Sequence, residues 1–244
     1  MLEDFRQEMS RAGIFCKQVI VSDGKIHRFS NNGRGNKDCW YVCHGEIGVF
    51  GDWNETPGEE YKKWYSEKYK TLSDTKKNEY NQRVSQLSHD LWTMRQQQIE
   101  EVAEQTSELW KNFSESGQSD YLVRKKVGAH GIRFDKSFIV LPLRDDAGKL
   151  WSLQKIYENG DKRFVFGGRK KGLMHVLGEL KQRQRFFIAE GYATAATVHE
   201  ITGSPVVVAF DIYNLGVITE ILRKKYPRNQ IVIIGDDDIF STVI

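Results

Sequence analysis

The chain has 244 residues, 39% of them hydrophobic, and its 36 lysines and arginines against 33 acids leave a formal charge of +3. That length and apolar content suffice for one large domain or two small ones, while the near-balance of charge makes no general case for nucleic acid, so any such case must rest on local clusters. No stretch approaches the about eighteen apolar residues of a membrane span, and the opening MLEDFRQEMSRAG has acids but no apolar signal core, so cytoplasmic placement without membrane contact is expected.

Residues 1–55 read as a small β-rich module. Short β-prone runs (Gln18 to Ser22, Lys25 to Phe29, Trp40 to His44, Gly48 to Phe50) are separated by the polar tract SNNGRGNKD. Residues 56–115 turn abruptly rich in Lys, Glu and Gln, which predicts a charged helical connector. Pro57 with Glu59 and Glu60 suits its start, and Ser73-Asp74 divides it in two. Leu87, Leu91, Met94, Ile99, Val102 and Leu109 recur at roughly helical spacing, with too many polar interruptions to favour a coiled coil over packing against neighbours.

Residues 116–180 return to strand texture in SFIVLPLRD, KLWSLQKIY and KRFVFGG. Asp145-Asp146-Ala147-Gly148 and Glu158-Asn159-Gly160-Asp161 join them as turns that bring the strands antiparallel. Residues 181–244 differ in kind: RFFIAEG, PVVVAFD and QIVIIGDDD are short, wholly apolar strands alternating with the helical stretches ATAATVHEITG and GVITEILRKKYP. That alternation predicts a parallel sheet covered on both faces. The fold class expected is thus α+β in the N-terminal and middle regions, followed by an α/β parallel-sheet unit.

Three of these strands end in acids: Glu190, Asp211, and Asp236-Asp237-Asp238. Parallel α/β sheets place their functional crevice beyond the carboxyl ends of the strands. Asp236 and Asp238, two apart, point the same way in an extended chain, and Glu190 from another strand can face them. Apposed carboxylates resist ionisation unless a cation sits between them, and Mg²⁺ or Mn²⁺, with hard oxygen ligands and an affinity for phosphates, is the expected cofactor. The bland alternative is that the acids are helix N-caps and DDD a solvated turn. Asp211 and Asn214 are secondary candidates for substrate or metal, with Asp211 as an N-cap the competing role.

Glu190-Gly191-Tyr192 after an apolar strand, with Asp236-x-Asp238 about 45 residues later after another, resembles the Toprim signature of bacterial replicative primases, topoisomerases and some nucleases. The longer text EGYATAATVHEITGSPVVVAFDIYNL, with IVIIGDDD, looks most like the Toprim primase module of conjugative plasmids and phages. YLVRKKVGAHGIR, VLPLRDDAGKLWSLQKI and GDKRFVFGG resemble that module's upstream half, and IHRF with WYVCHGEIGVFGDW resembles its leader region. The resemblance implies that Glu190 is a metal ligand or acid/base group, that Asp236 and Asp238 are paired metal ligands, and that Asp237 points away. Related modules continue past the DxD into a further helix and strand, whereas six residues follow Asp238 here, so an incomplete Toprim unit is expected, either C-terminally truncated or completed by a partner.

The activity implied is a DNA primase or primase fragment making oligonucleotide primers from nucleoside triphosphates on single-stranded DNA in plasmid, phage or mobile-element replication. A Toprim nuclease is one alternative, and a catalytically lost Toprim protein acting as a nucleic-acid-binding or regulatory factor is another. The sequence holds no G-x-x-x-x-G-K-[ST], so unwinding would fall to a helicase or other replication partner.

Lys155, Lys162, Arg163, Arg169, Lys170 and Lys171 cluster before the parallel unit, with Arg124, Lys125 and Lys126 upstream. They are expected to hold template or triphosphate phosphates on one face continuous with the carboxylates, with Trp151, Tyr157 and Phe164 for base stacking. A solvated strand edge is the alternative. Three cysteines, Cys16, Cys39 and Cys43, without an export signal speak for reduced thiols. Cys39, Cys43, His44 and His27 match no zinc ribbon, and Cys43 and His44 as strand neighbours face opposite ways, so zinc is not expected. His89, His130, His175 and His199 are read as standing alone.

Overall fold

The computed structural model describes residues 1–31, 39–52 and 61–235. The chain forms two compact units, Met1–Gln97 and Gln98–Ile244.

In the first unit, β1 (Ile26–Phe29), β2 (Cys39–His44), β3 (Ile47–Asp52) and β4 (Lys62–Tyr65) form an antiparallel sheet in chain order. Alternation splits its side chains between two faces. Phe29, Cys39, Tyr41, Cys43, Phe50 and Trp64 pack with Phe5 and Met9 of α1 (Leu2–Arg11). Trp40, Val42, Ile47 and Val49 pack on the other side with Val84. Gly48 has to be glycine here because a Cβ would stand 2.5 Å from the Phe5 ring.

Three expectations need correction. Gln18 to Ser22 forms no strand; Ile20 is buried in the core but Val19 and Val21 are exposed, so the run is anchored at one point and not paired. Lys62–Tyr65, within the expected helical connector, is instead the edge strand β4, which buries Trp64 and exposes Lys62, Lys63 and Tyr65. Lysines on an edge strand oppose pairing with another chain. Helix α1 was not anticipated, since only Phe5 and Met9 of its ten residues are buried. The expected helix start at Pro57, Glu59 and Glu60 lies outside the described residues.

Helix α2 (Glu67–Lys70) is capped by Ser66, whose hydroxyl accepts from Tyr69 N. Helix α3 (Asp74–Lys111) crosses the boundary between the units. Its buried positions are Val84, Ser88, Ile99, Ala103 and Thr106, whereas Met94 and Leu109 of the expected stripe are exposed. Small and hydroxylic residues fill the contact line, which an apolar-periodicity reading overlooks.

The second unit opens with α4 (Asp120–Lys125), capped by Ser119. An antiparallel sheet follows from β5 (Arg133–Phe134), β6 (Phe138–Arg144), β7 (Leu150–Tyr157) and β8 (Lys162–Phe164). Both hairpin turns depend on glycine at positive φ, Gly148 (+90°) and Gly160 (+96°). In the first, the Asp145 carboxylate accepts from Ala147 N, Lys149 N and Trp151 Nε1. A second sheet runs β12-β10-β11-β9, built from β9 (His175–Leu177), β10 (Phe186–Ala189), β11 (Val206–Val208) and β12 (Ile231–Ile234). β10 lies parallel to both β11 and β12, and β9 is antiparallel at the β11 edge.

The inner strands β10 and β11 read as uninterrupted apolar runs because both faces are covered, whereas the edge strand β12, equally apolar, leaves Ile233 49% exposed. Phe187, Ala189, Val206 and Val208 pack with Tyr192, Ala195 and Ala196 of α5 (Tyr192–Thr202). Phe186, Ile188 and Val207 pack with Ile218 and Leu222 of α6 (Ile212–Lys225). The first turns of both helices follow the carboxyl ends of β10 and β11 directly. No helix among the described residues is long and apolar enough to cross a membrane.

Candidate functional site

The register of the parallel strands fixes the site. Ala189 pairs with Val208 on one side and with Ile234 on the other. Glu190, Ala209 and Gly235, the next residues of each strand, therefore leave the sheet at one level. Ala209 N donates to Ala189 O and Phe210 N to Glu190 O, both at 2.9 Å, carrying the pairing one step past the strands. The expected partners Asp236 and Asp238 lie outside the described residues. Among those described, no group of three His, Cys, Asp or Glu side chains is placed to hold a metal ion.

Glu190 is half-buried, and no described residue donates to its carboxylate. Gly191 follows as the N-cap of α5, and a Cβ there would stand 3.5 Å from the Lys162 ammonium. Phe210, buried beside Glu190, has φ +72°. A left-handed backbone at a bulky residue costs on the order of 1–3 kcal/mol and persists only where surroundings impose it. Here the Phe164 ring, 6.1 Å away edge-on, and the bond to Glu190 O impose it.

Asp211 is the N-cap of α6. Its Oδ1 accepts from Asn214 N at 2.8 Å and its Oδ2 pairs with Lys170 Nζ at 2.6 Å, so the capping role holds and the carboxylate is already neutralised. Asn214 is corrected more firmly. It is buried, its Oδ1 accepts from Gly172 N, and its Nδ2 donates to Leu173 O and Ala209 O. Every bond serves the backbone, so Asn214 positions the 172–173 segment against the end of β11.

The basic cluster does not form the single continuous face expected. In β7 and β8, Lys155 pairs with Arg163, whereas Gln154 pairs with Phe164 and Ile156 with Lys162. Lys155 and Arg163 thus share one face of that sheet, shielded from each other by lying over the Phe138 and Tyr157 rings at 4.8 and 5.3 Å. Lys162 and Phe164 occupy the opposite face, toward Gly191 and Phe210. Lys170 lies 5.1 Å over the Phe164 ring. Arg169 packs 5.1 Å over Trp151 and donates to Lys171 O, and burial pulls its guanidinium below its ordinary value. Lys171 is half-buried. Arg124 donates to Glu158 O at the β7–β8 turn, and Lys125 is exposed in the last turn of α4.

The stacking candidates fare similarly. Trp151 is buried, and Phe164 and Tyr157 are half-buried beneath cations and other rings. None offers a free face.

The histidines do not stand alone. Tyr192, two residues after Glu190, accepts from His130 N at 2.8 Å and donates to Gly128 O at 2.9 Å. Glu200, from the same helix, accepts from Gly128 N and His130 Nε2, both at 2.7 Å. His199 meets the His130 ring edge-on at 5.0 Å. His175 Nε2 donates to His130 O at 2.8 Å. Helix α5, which begins two residues after Glu190, is thereby fastened to residues 128–130, and burial pushes the Tyr192 phenol up, so it remains a donor. Tyr192 and Glu200 lie eight residues apart, about two helical turns, and so share a face, a signal that periodicity carries. Their partner loop, more than sixty positions away, is not readable in the sequence.

His175 makes acid sensitivity an expected result. Desolvation pulls its pKa down to about 4, with Arg144 and His130 adding to the effect and its bond to the His130 carbonyl opposing it. The unfolded chain takes up this proton near pH 6.5, whereas the folded chain refuses it until about pH 4. Stability therefore falls as pH drops through that window, by about 3 kcal/mol in all. Urea unfolding midpoints between pH 7 and 4.5 should show a shallower decline for His175→Met, and equal slopes would remove His175 as the cause.

In the first unit, Cys39 and Cys43 point into the α1-facing core, with burial raising the Cys43 thiol, whereas His44 faces Tyr80 of α3. His27 stacks on Tyr41 at 4.9 Å and pairs with Asp23.

No family model matches the chain, and no solved structure does. A protein of Escherichia coli named DNA primase TraC is 34% identical over 235 residues, covering 89% of this chain and 21% of that protein. A second Escherichia coli protein of the same name is 32% identical over 254 aligned residues, covering 97% of this chain and 17% of its own length. Along most of its length, then, the chain is similar to a segment of DNA primase TraC, and it spans about a fifth of the length of these curated relatives.

Proposed function

We propose that the chain carries the metal-binding part of a Toprim-type DNA primase that makes oligonucleotide primers on single-stranded DNA in plasmid, phage or mobile-element replication. The observation that supports it most directly is Glu190: a carboxylate without a described partner, at the carboxyl edge of a parallel sheet and level with the exit of β12. The similarity to proteins named DNA primase TraC supports the reading from the side of sequence.

Glu190 with Asp236 and Asp238 would hold Mg²⁺ or Mn²⁺, and hard carboxylate oxygens suit either ion. When bound, the ion neutralises triphosphate charge and lowers the pKa of the attacking hydroxyl. In the transfer, the 3′ oxygen bonds to the α-phosphorus, the bond to pyrophosphate breaks, and the hydroxyl proton leaves. Glu190 is a ligand or the group that takes this proton. Lys162 beside Gly191, and the first-turn N–H groups of α5, offer positive charge toward phosphate.

Incubating the protein with single-stranded DNA, labelled nucleoside triphosphates and Mg²⁺ tests the reading. Oligonucleotide products that vanish with chelator are expected. Shortening of the DNA without synthesis would establish the nuclease instead, and binding without either reaction would establish a regulatory protein.

A further inference from the structure

Phe166 and Tyr213 are 86% and 90% exposed, and the next most exposed aromatic among the described residues, Trp92, reaches 48%. Burying neither ring forfeits the stabilisation that aromatic side chains ordinarily supply to a fold. The two also stand on segments bound together along their length. Phe164 meets Phe210 at 6.1 Å, Lys170 pairs with Asp211 at 2.6 Å, and Gly172 N donates to Asn214 Oδ1 at 2.7 Å. Phe166 projects from the first segment and Tyr213 from the second, which begins at Phe210, whose N–H donates to Glu190 O where β10 ends. Lys162 is exposed and lies toward Gly191, the residue after Glu190, and Lys170 covers the Phe164 ring while pairing with Asp211.

From this juxtaposition we infer that Phe166 and Tyr213 are the base-stacking platforms of a single-stranded nucleic-acid path running along the Lys170–Asp211 junction. The inference rests on the primase reading and adds to it which residues hold the strand. Unpaired bases present flat, desolvation-prone faces, and an exposed ring beside cations takes base and phosphate together. A duplex hides those faces, so the platform selects single strands. The buried or cation-covered rings of Trp151, Tyr157 and Phe164 cannot serve in this way.

Fluorescence anisotropy with labelled oligothymidylate, and with an abasic oligomer of equal length, separates stacking from charge. The wild type should prefer oligothymidylate. Phe166→Ala and Tyr213→Ala should each weaken its binding about tenfold without altering that of the abasic strand. Tyr213→Phe should restore affinity, and thermal melts of all variants should coincide, since neither ring is packed. Equal wild-type affinity for the two oligomers, or unchanged binding by the double alanine variant, overturns the stacking inference and leaves the primase reading standing. No binding of either oligomer by the wild type overturns both.

Discussion

Asn214→Ala is expected to lower folding stability by about 4 kcal/mol. Three buried backbone groups, Gly172 N–H, Leu173 C=O and Ala209 C=O, lose their partner at once. Each orphaned buried group costs about 1–3 kcal/mol. Asn214→Asp should not rescue the protein, since it keeps an acceptor for Gly172 but sets a second oxygen against two carbonyls. Denaturant unfolding measures both variants. A loss below about 1 kcal/mol would mean that water replaces the amide, and Asn214 would cease to be the post that holds the Lys170 segment in place.

Glu190→Gln is expected to slow primer synthesis about a thousandfold or more, with a melting temperature unchanged or slightly raised. Glutamine keeps the shape but removes the charge that a metal or a departing proton requires. No described residue bonds to the Glu190 carboxylate, so the fold has nothing to lose there. Rates in Mg²⁺ and melts in its absence separate the cases. Synthesis within about tenfold of the wild type would take Glu190 out of the chemistry, whereas a marked drop in melting temperature would make it a structural residue.

Much of this arrangement is legible locally. The two turns before β7 and β8 announce themselves because Gly148 and Gly160 adopt φ that other residues avoid. The runs FFIA and VVV, without polar alternation, require cover on both faces, which α5 and α6 supply, whereas IVII reads the same in the text yet is an edge strand with Ile233 exposed. Glu190 is found because a carboxylate at the end of such a run has few structural reasons to be there. The rest depends on partners distant in sequence. Asn214 reads as a polar residue near a strand end, and only the return of Gly172, 42 positions away, shows its role. The basic residues look like one patch in the text, yet alternation in β8 sends Lys162 and Arg163 to opposite faces. Exposure of Phe166 and Tyr213 is invisible to hydrophobicity, which assigns aromatics to the interior.

The order of strands also governs how the protein is made. In the sheet β1-β2-β3-β4, each strand finds its partner in the one just synthesised. β10 is different, because its parallel neighbours β11 and β12 both come later, with a helix to be made before each. On the ribosome, Phe186–Ala189 therefore emerges with both backbone edges unpaired and cannot be enclosed until Ile231–Ile234 has been translated. Parallel pairing across such separations is intrinsically slow and leaves apolar strands open to aggregation meanwhile. The strand that carries Glu190 is thus sheltered later after its synthesis than the strands of the sheet β1-β2-β3-β4, and the pace of translation through residues 190–234 sets how long it stays bare.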